Sequence, residues 1–269
     1  MVHPQLRLCR SLLFLPASNP RAIEKAGSLD ADMIVLDCED AVKAEDKERA
    51  RAAALEAAEQ GFEGRLCAIR INAVGSPWYG DDVAAMRRSK ADFVIVPKAE
   101  GHQQVKDAGR VVEKPLLAMI ETAAGVLNAF SIAADAAGVI AGTNDLSADL
   151  GIPSDTGRSG LSHSLQAIVL AARGARVAAF DGVYNALEDD DGLRAQCEEG
   201  RAFGFDGKSL IHPSQIETAN RIFGPSEEQV AAAERLLAAA TGGAERFEGR
   251  MIESMHVAQA RAVLAKARR

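Results

Sequence analysis

Eight short apolar runs alternate along the chain with longer, alanine-rich stretches that carry charges at helical spacing. The runs are Ser11–Pro16, Met33–Cys38, Cys67–Asn72, Phe93–Lys98, Leu116–Glu121, Val139–Gly142, Val177–Phe180 and Lys208–Ile211. Most are continuously apolar, which is typical of strands buried on both faces of a parallel sheet. The stretches between them, such as Ala44–Gln60 and Leu161–Gly174, predict helices.

Eight strand–helix units favour an α/β fold of the TIM-like (β/α)8 barrel type, which usually needs ~250 residues. An open doubly wound sheet is the alternative, but eight units make it less favoured. We assign the barrel to residues 1–224. Residues 225–269 hold two further helical patterns separated by a glycine pair at 242–243. A barrel does not need them, so we expect a C-terminal helical extension that caps the barrel as a lid or reaches a neighbouring subunit.

Charge and composition narrow the classes of function. The net charge of −7 gives no basis for binding nucleic acid or an anionic membrane. We predict no transmembrane helix, because no apolar stretch reaches 18 residues, and no signal peptide, because Pro16 breaks the first apolar run. Cys38 and Cys67 lie inside predicted strands, which indicates buried reduced thiols. We therefore predict a cytoplasmic protein.

Two carboxylates end successive apolar runs. Glu121 and Asp145 are one β/α unit apart, so they would end adjacent strands and could share one cation. Two carboxylates with open positions suit Mg²⁺, which keeps waters and takes further oxygens from a substrate. The alternative is that each carboxylate caps a helix.

Two cations end neighbouring runs and could hold an anionic substrate. The guanidinium of Arg70 matches a carboxylate bidentately, although a structural salt bridge in the barrel mouth is an alternative. Lys98 could hold an anion or neutralise Glu39 or Asp40. Together with Asp37, these acids crowd the end of the second strand and need cations or donors nearby.

Other catalytic patterns contribute less. His212 ends the eighth run and is the one histidine placed for the site, but a structural hydrogen bond is the favoured role. No G-x-S-x-G elbow, P-loop or G-x-G-x-x-G motif occurs in the sequence.

The sequence resembles the citrate lyase β-subunit-like family, within the HpcH/HpaI aldolase and malyl-CoA lyase superfamily, over about residues 10–265. Seven motifs in order carry the resemblance: Arg10-Ser-Leu-Leu-Phe-Leu-Pro16, Leu36-Asp-Cys-Glu-Asp-Ala-Val42, Arg70-Ile-Asn72, Pro97-Lys98, Ile120-Glu-Thr122, Gly142-Thr-Asn-Asp-Leu146 with Ala148-Asp-Leu-Gly151, and Gly207-Lys-Ser-Leu-Ile-His-Pro213.

The resemblance implies a barrel that binds Mg²⁺ and a CoA thioester or 2-oxo acid, and a homo-oligomer, either a trimer or a hexamer. It implies that Glu121 and Asp145 are the metal ligands and that Arg70 holds a substrate carboxylate. The candidate catalytic residues are Arg70, Glu253 and Glu39, and the candidate substrate-binding residues are Arg70, Glu121, Lys98, Arg21 and Asn144.

Two departures from the family pattern bear on function. The first loop reads Pro16-Ala-Ser-Asn-Pro20 instead of a Gly-Asp-type turn, although Arg21 is retained. The tail reads Met251-Ile252-Glu253 where similar lyases carry Met-Ile-Asp, whose Asp closes over a neighbouring subunit's site as acid or base. The extra methylene of glutamate can misplace a catalytic group.

Three functions follow from this resemblance. The leading one is a Mg²⁺-dependent carbon–carbon lyase acting on malyl-CoA, citramalyl-CoA or citryl-CoA, which gives an acyl-CoA and a 2-oxo acid. The first alternative is a malyl-CoA-type thioesterase that uses the same metal site. The second is a non-catalytic subunit that binds a CoA ester.

Overall fold

Eight parallel strands close into a barrel in the computed structural model, which describes residues 5–241 and 243–267. The strands are β1 (Ser11–Pro16), β2 (Met33–Asp37), β3 (Leu66–Arg70), β4 (Phe93–Val96), β5 (Leu116–Ile120), β6 (Gly138–Ala141), β7 (Ala178–Asp181) and β8 (Gly207–Leu210). β1 pairs with both β2 and β8, which closes the sheet. The predicted barrel is confirmed, and the open-sheet alternative is wrong.

Helices surround the barrel. They are α1 (Pro20–Ala26), α2 (Lys47–Gln60), α3 (Tyr79–Met86), α4 (His102–Val112), α5 (Ala123–Leu127), α6 (Ala129–Ala134), α7 (Thr143–Asp149), α8 (Ser162–Ala175), α9 (Asp190–Phe203) and α10 (Ile216–Phe223). The start of α1 shows how sequence sets a boundary. Asn19 accepts a hydrogen bond from the backbone N–H of Ala22, and Pro20 occupies the first helical position.

Two apolar layers explain why the strands read as continuous apolar runs. Side chains such as Leu12, Met33 and Phe93 fill the barrel interior. Their chain neighbours, such as Leu13 and Ile34, pack in the second layer, between the barrel and the helices. Because successive side chains of a strand point to opposite faces, both faces must be apolar.

Several strands end before the charged residues that the sequence pattern included in them. β5 ends at Ile120 and β4 at Val96, so Glu121 and Lys98 lie in the loops that follow. Parallel strands place these loops at one end of the barrel, which is where active sites of this fold lie.

The C-terminal extension follows the barrel as α11 (Glu227–Ala239), a two-stranded hairpin of β9 (Glu245–Phe247) and β10 (Arg250–Ile252), and α12 (Ser254–Ala267). The helices were predicted, whereas the hairpin was not. α11 and α12 pack on each other. Lys266 Nζ donates a hydrogen bond to the backbone oxygen of Asp206, directly before β8. The role of this extension as a lid stays a prediction. In the described ranges, no helix is both long and apolar enough to cross a membrane.

Candidate active site

A cavity of about 360 Å³ opens at the carboxyl ends of the barrel strands. Its apolar wall includes Phe14, Leu15, Met119, Val183 and Ile211. Its charged and amide side chains lie at or shortly after the carboxyl ends of β2, β3, β5 and β6, and they are Asp37, Asp40, Arg70, Glu121, Asn144 and Asp145. Four of the predicted site residues, namely Arg70, Glu121, Asn144 and Asp145, therefore line one cavity.

Lys98 links the two predicted metal ligands. Its backbone N–H donates to Glu121 Oε1 at 2.7 Å, and its Nζ lies 3.5 Å from Asp145 Oδ2. Lys98 has a left-handed backbone, with φ of 49°. That conformation costs a residue other than glycine about 1–3 kcal/mol and is commonly retained at functional sites. Since β5 and β6 are paired, Glu121 and Asp145 follow adjacent strands, as predicted.

Gly142 makes room for the Glu121 side chain. A Cβ atom at residue 142 would clash with both Cβ and Oε2 of Glu121. Any larger residue would displace this carboxylate, so the space that Glu121 occupies depends on a glycine at the end of β6.

The carboxyl of Glu121 is electrostatically unusual. Burial raises its pKa to about 8; the like charges of Glu39 and Asp145 add to the rise, and the N–H of Lys98 and the charge of Arg70 oppose it. A carboxyl that is this costly to ionise without a partner would be stabilised by a cation.

Arg70 is held by Asp37, the residue opposite it in the β2–β3 register. Its Nε and Nη2 donate to the two carboxylate oxygens of Asp37, each at 2.7 Å. One edge of the guanidinium thus forms the structural salt bridge that the sequence left as an alternative. Its Nη1 lies 3.6 Å from Met119 Sδ, in the cavity wall. Binding of a substrate carboxylate by Arg70 stays a prediction and now rests on the atoms that Asp37 leaves free.

Glu39 lies beside the cavity and contacts both cations. Its Oε1 accepts a hydrogen bond from Lys98 Nζ at 2.8 Å, and its Oε2 lies 3.0 Å from Arg70 Nη1, outside hydrogen-bonding angles. Burial raises the pKa of Glu39, although Arg70 and Lys98 oppose the rise. Lys98 neutralises Glu39 and lies 3.5 Å from Asp40, as one of the two sequence interpretations had it. The predicted catalytic role of Glu39 remains a prediction.

Besides Glu39 and Lys98, three singled-out residues lie outside the cavity wall. Arg21 is exposed in the first turn of α1, and Glu253 is exposed directly before α12. His212 accepts a hydrogen bond from the backbone N–H of Ser214, which is the structural role favoured by the sequence. The catalytic and substrate-binding roles of Arg21 and Glu253 stay predictions.

Comparison with known proteins places this barrel and its site in a family. The sequence model for HpcH/HpaI aldolase/citrate lyase matches residues 10–213. The chain belongs to this family. The resemblance inferred from the seven motifs is thereby confirmed.

Relatives within the family differ in their activity. A (3S)-malyl-CoA thioesterase of Cereibacter sphaeroides (strain ATCC 17025 / ATH 2.4.3) is 43% identical over 96% of this chain and 94% of its own. The mitochondrial citramalyl-CoA lyase of Homo sapiens is 31% identical over 93% of this chain and 83% of its own. Members of both kinds are enzymes that act on CoA esters.

A solved structure in the family contains magnesium. CitE from Mycobacterium tuberculosis, in complex with magnesium, acetoacetate and coenzyme A, superposes with a TM-score of 0.81 at 34% identity. The match covers 98% of this chain and 100% of that one.

The donor set of this chain fits the magnesium that the family implies. Glu121 directly follows β5, and Asp145 lies in the first turn of α7, shortly after the adjacent strand β6. Their carboxylate oxygens are the hard donors that Mg²⁺ prefers. Across residues 5–241 and 243–267, no cluster of three or more His, Cys, Asp or Glu side chains could hold a metal. Two protein carboxylates leave positions for water and substrate oxygens, which is how Mg²⁺ is usually bound.

One buried charge network near the site was missed. Asp181 at the end of β7 lies opposite Lys208 of β8 and accepts hydrogen bonds from Lys208 Nζ at 2.9 Å and Arg158 Nη1 at 3.0 Å. Lys208 Nζ also donates to the backbone oxygen of Gly182, next to Val183 of the cavity wall. Burial alone would raise the pKa of Asp181, but Lys208 and Arg158 hold it below its usual value. The sequence signal that could have revealed this network is Asp181, an acid directly after the seventh apolar run.

Proposed function

We propose that this chain is a Mg²⁺-dependent thioesterase that hydrolyses a 3-hydroxyacyl-CoA of the (3S)-malyl-CoA type. The observation that carries this proposal is the 43% identity over 96% of the chain with the (3S)-malyl-CoA thioesterase of Cereibacter sphaeroides, against 31% with the human citramalyl-CoA lyase. The glutamate at residue 253, where similar lyases carry aspartate, points the same way. Hydrolysis was the first alternative from the sequence, and it now ranks before carbon–carbon cleavage.

In this proposal Glu121 and Asp145 hold the Mg²⁺. When bound, the ion supplies Lewis-acid polarisation of the substrate's carbonyl oxygen. The chain's own contribution is to fix the two carboxylates: the N–H of Lys98 orients Glu121 Oε1, and Lys98 Nζ lies beside Asp145.

Cations and amides would orient the substrate. Arg70 binds the carboxylate of the hydroxyacyl group through the N–H groups that Asp37 does not use. Asn144 lines the cavity, and Asn185 Nδ2 donates to its Oδ1 at 2.7 Å, which leaves the Asn144 amide held at the mouth. Arg21 is exposed on α1, where it can meet a phosphate of CoA outside the cavity.

Hydrolysis also needs a group that takes a proton from the attacking water. Glu253 of a neighbouring copy is the predicted candidate, because in its own chain this residue is exposed and lies outside the cavity wall. The functional form would then be a homo-oligomer, either a trimer or a hexamer. Met251 and Met255 flank Glu253 and are exposed, as expected for an interface. Ile252, between Met251 and Glu253, is already buried within the chain.

The second candidate function is carbon–carbon cleavage of the same thioesters. It is favoured by the CitE complex, in which magnesium, coenzyme A and the oxo acid acetoacetate occur together. The same cavity residues would then serve to release a 2-oxo acid and an acyl-CoA. The non-catalytic alternative receives less support, because the pKa of the buried Glu121 carboxyl is strongly raised and such perturbed groups cluster at catalytic sites.

Product analysis decides between these functions. Purified protein with Mg²⁺ is incubated with malyl-CoA, citramalyl-CoA and citryl-CoA, and products are identified by mass spectrometry. Free hydroxy acid with free CoA supports the thioesterase. An acyl-CoA together with glyoxylate, pyruvate or oxaloacetate would replace it with the lyase. No turnover of any thioester, with binding by calorimetry, would contradict both and leave a binding subunit.

A cytoplasmic location belongs to the same proposal. All four cysteines, Cys9, Cys38, Cys67 and Cys197, are buried. Burial raises the pKa of Cys197 to about 11 and that of Cys67 to about 12, so both stay protonated and inert at neutral pH. This use of cysteine is typical of a reducing compartment.

A further inference from the structure

Lys47, the first residue of α2, is a buried cation that the proposed chemistry does not use. Its side chain is 6% exposed. Its Nζ donates to the backbone oxygens of Cys38 at 3.0 Å and Glu39 at 2.7 Å. The same ammonium lies 5.2 Å from the ring centre of Trp78. An ammonium has three N–H donors, so two carbonyls and one indole face account for all of them.

The two carbonyls belong to the first residues after β2. The carboxylate of Asp37 holds the same segment from the opposite side, because it accepts the backbone N–H of Glu39 at 2.8 Å and that of Ala41 at 3.3 Å. The backbone of Glu39 is therefore fixed at its N–H by Asp37 and at its C=O by Lys47.

Trp78 connects Lys47 to the chain segment that follows β3. It lies in the connection between β3, which ends in Arg70, and α3. Lys47 thus joins the loop after β2 to the loop after β3. The loop after β2 contributes Asp40 and Ala41 to the cavity wall, and Arg70, the last residue of β3, also lines the cavity.

We propose that Lys47 is a positioning residue that, held over Trp78, fixes the carbonyls of Cys38 and Glu39 and so aims the Glu39 carboxylate at Lys98. The proposal deepens the proposed function and rests on it for its kinetic consequence. Lys98 in turn contacts both proposed metal ligands, Glu121 through its backbone N–H and Asp145 through Nζ. A displaced Glu39 carboxylate would therefore shift Lys98 and, with it, the metal ligands. Arg70 Nη1 lies 3.0 Å from Glu39 Oε2, but Arg70 is held by the two hydrogen bonds that it donates to Asp37, so the binding of substrate depends less on Lys47.

If Lys47 only stabilised the fold, replacing it would change the stability of the protein and leave kcat unchanged. Burying an ammonium is costly, and an apolar side chain of similar length would fill the same space without that cost. Lys47→Met should therefore leave the barrel folded while the Glu39 backbone loses one of its two supports.

The kinetic test compares Lys47→Met with Lys47→Arg and with Lys43→Met, an exposed lysine of the same connection. Since misplacing a catalytic group by about 1 Å can cost 10²-fold, we expect kcat of Lys47→Met to fall by about 10- to 100-fold. KM should change little. Lys47→Arg can still donate to both carbonyls and stack on the indole, so it should recover much of kcat. Lys43→Met should match wild type. Wild-type kcat in Lys47→Met would overturn the proposal.

A second readout does not depend on activity. Trp78 is the only tryptophan of the chain, so its fluorescence emission reports whether the ammonium is on the ring. Crystal structures of wild type and Lys47→Met should show that Glu39 Oε1 leaves hydrogen-bonding distance of Lys98 Nζ. If Glu39 keeps this contact, the positioning role is wrong whatever the substrate. If Glu39 moves but wild type turns over no thioester, the proposed function fails and the positioning of Glu39 stands.

Trp78→Leu covers the case in which Lys47→Met does not fold. It removes the aromatic face but keeps the lysine, and we expect the same loss of kcat at smaller size. A folded Trp78→Leu protein with wild-type kcat and an unmoved Glu39 carboxylate would contradict the proposal.

Discussion

Individual charged residues of the site act in pairs, and the partner changes what each one can do. Arg70 donates along one edge to Asp37, and Lys98 is shared among Glu39, Asp40 and Asp145. Burial would lower the pKa of Lys98, but the hydrogen bond that it donates to Glu39 and the surrounding carboxylates raise it. Lys98 therefore stays charged at neutral pH, which argues against its use as a Schiff-base amine and for electrostatic positioning.

Removing either proposed metal ligand should abolish most activity without unfolding the protein. Mutating a residue that only hydrogen-bonds to a metal ligand typically lowers metal affinity or activity by about 10–100-fold. Glu121→Gln and Asp145→Asn change the ligands themselves, so each should lower activity by at least ~100-fold. Glu217→Gln, at an exposed position of α10, is the matched control. Calorimetric titration with Mg²⁺ and steady-state kinetics measure the two effects. Full Mg²⁺ affinity in either ligand variant would refute the shared site.

Arg70→Lys should weaken substrate binding and also destabilise the barrel mouth. Lysine cannot reproduce the fork, and a hydrogen bond to a charged group contributes about 1.5–3 kcal/mol. KM should rise, and the midpoint of thermal unfolding should fall because buried Asp37 loses a partner. Arg87→Lys, in an exposed ion pair with Glu113, should change neither. A lower unfolding midpoint with unchanged KM and kcat would make Arg70 purely structural.

The elements of the barrel were predictable, whereas their exact ends and cross-strand partners were not. Continuous apolar runs located all eight strands, because both faces of each strand are buried. The apolar runs included Lys98 and Glu121, but the backbone leaves the sheet before both residues. The left-handed φ of Lys98 shows this departure. The pairing of Asp37 with Arg70 depends on strand register, which sequence alone does not specify.

The missed hairpin has a related cause. β9 and β10 have three residues each, in a segment rich in charges, and carry too few apolar residues to produce a pattern. The two carboxylates of the proposed metal site could be predicted because Glu121 ends one apolar run and Asp145 follows the next run within three residues. The role of Gly142 could not, because it depends on how closely the Glu121 side chain approaches the neighbouring strand.

A methyl group on Gly142 should disturb the site more than the fold. In Gly142→Ala the new Cβ would press on Glu121, so Mg²⁺ affinity and kcat should fall, while overpacking costs about 1–3 kcal/mol of stability. Gly80→Ala is the control: it lies in α3 with open space around it, and should be neutral or stabilising by ~0.5–1 kcal/mol. Wild-type kcat in a folded Gly142→Ala protein would show that Glu121 tolerates displacement.

Asp181→Asn should be strongly destabilising, with a distinct dependence on pH. It leaves Lys208 and Arg158 buried without their shared carboxylate, which typically costs about 3–5 kcal/mol. Because the pKa of Asp181 is lowered by folding, its contribution is present above its unfolded pKa and is lost as pH falls through the folded one. The difference in unfolding free energy between wild type and Asp181→Asn should therefore shrink in acid, measured by urea denaturation across pH. A constant difference would exclude this linkage.

At the scale of the whole molecule, the barrel supplies a cavity but leaves one predicted catalytic residue outside it. α11, the hairpin and α12 form an arm whose far end packs near the start of β8 through Lys266. Glu253 lies between the hairpin and α12, and its backbone N–H donates to His256 Nδ1. Its exposed side chain and the exposed Met251 and Met255 beside it are suited to contact a second copy.

Subunit complementation tests whether Glu253 acts in a neighbouring copy. Glu253→Ala and Glu121→Gln proteins should each be inactive alone. After subunit exchange, some cavities would combine an intact Glu121 with a Glu253 from the other variant, so part of the activity should return. Mixing Glu121→Gln with Asp145→Asn is the control, because both changes affect the same barrel mouth and no exchange can restore it. Recovery only in the first mixture supports action in trans. Without recovery after exchange confirmed by native mass spectrometry, or with a monomer by light scattering at assay concentration, Glu253 would have to be assigned to the surface of its own chain.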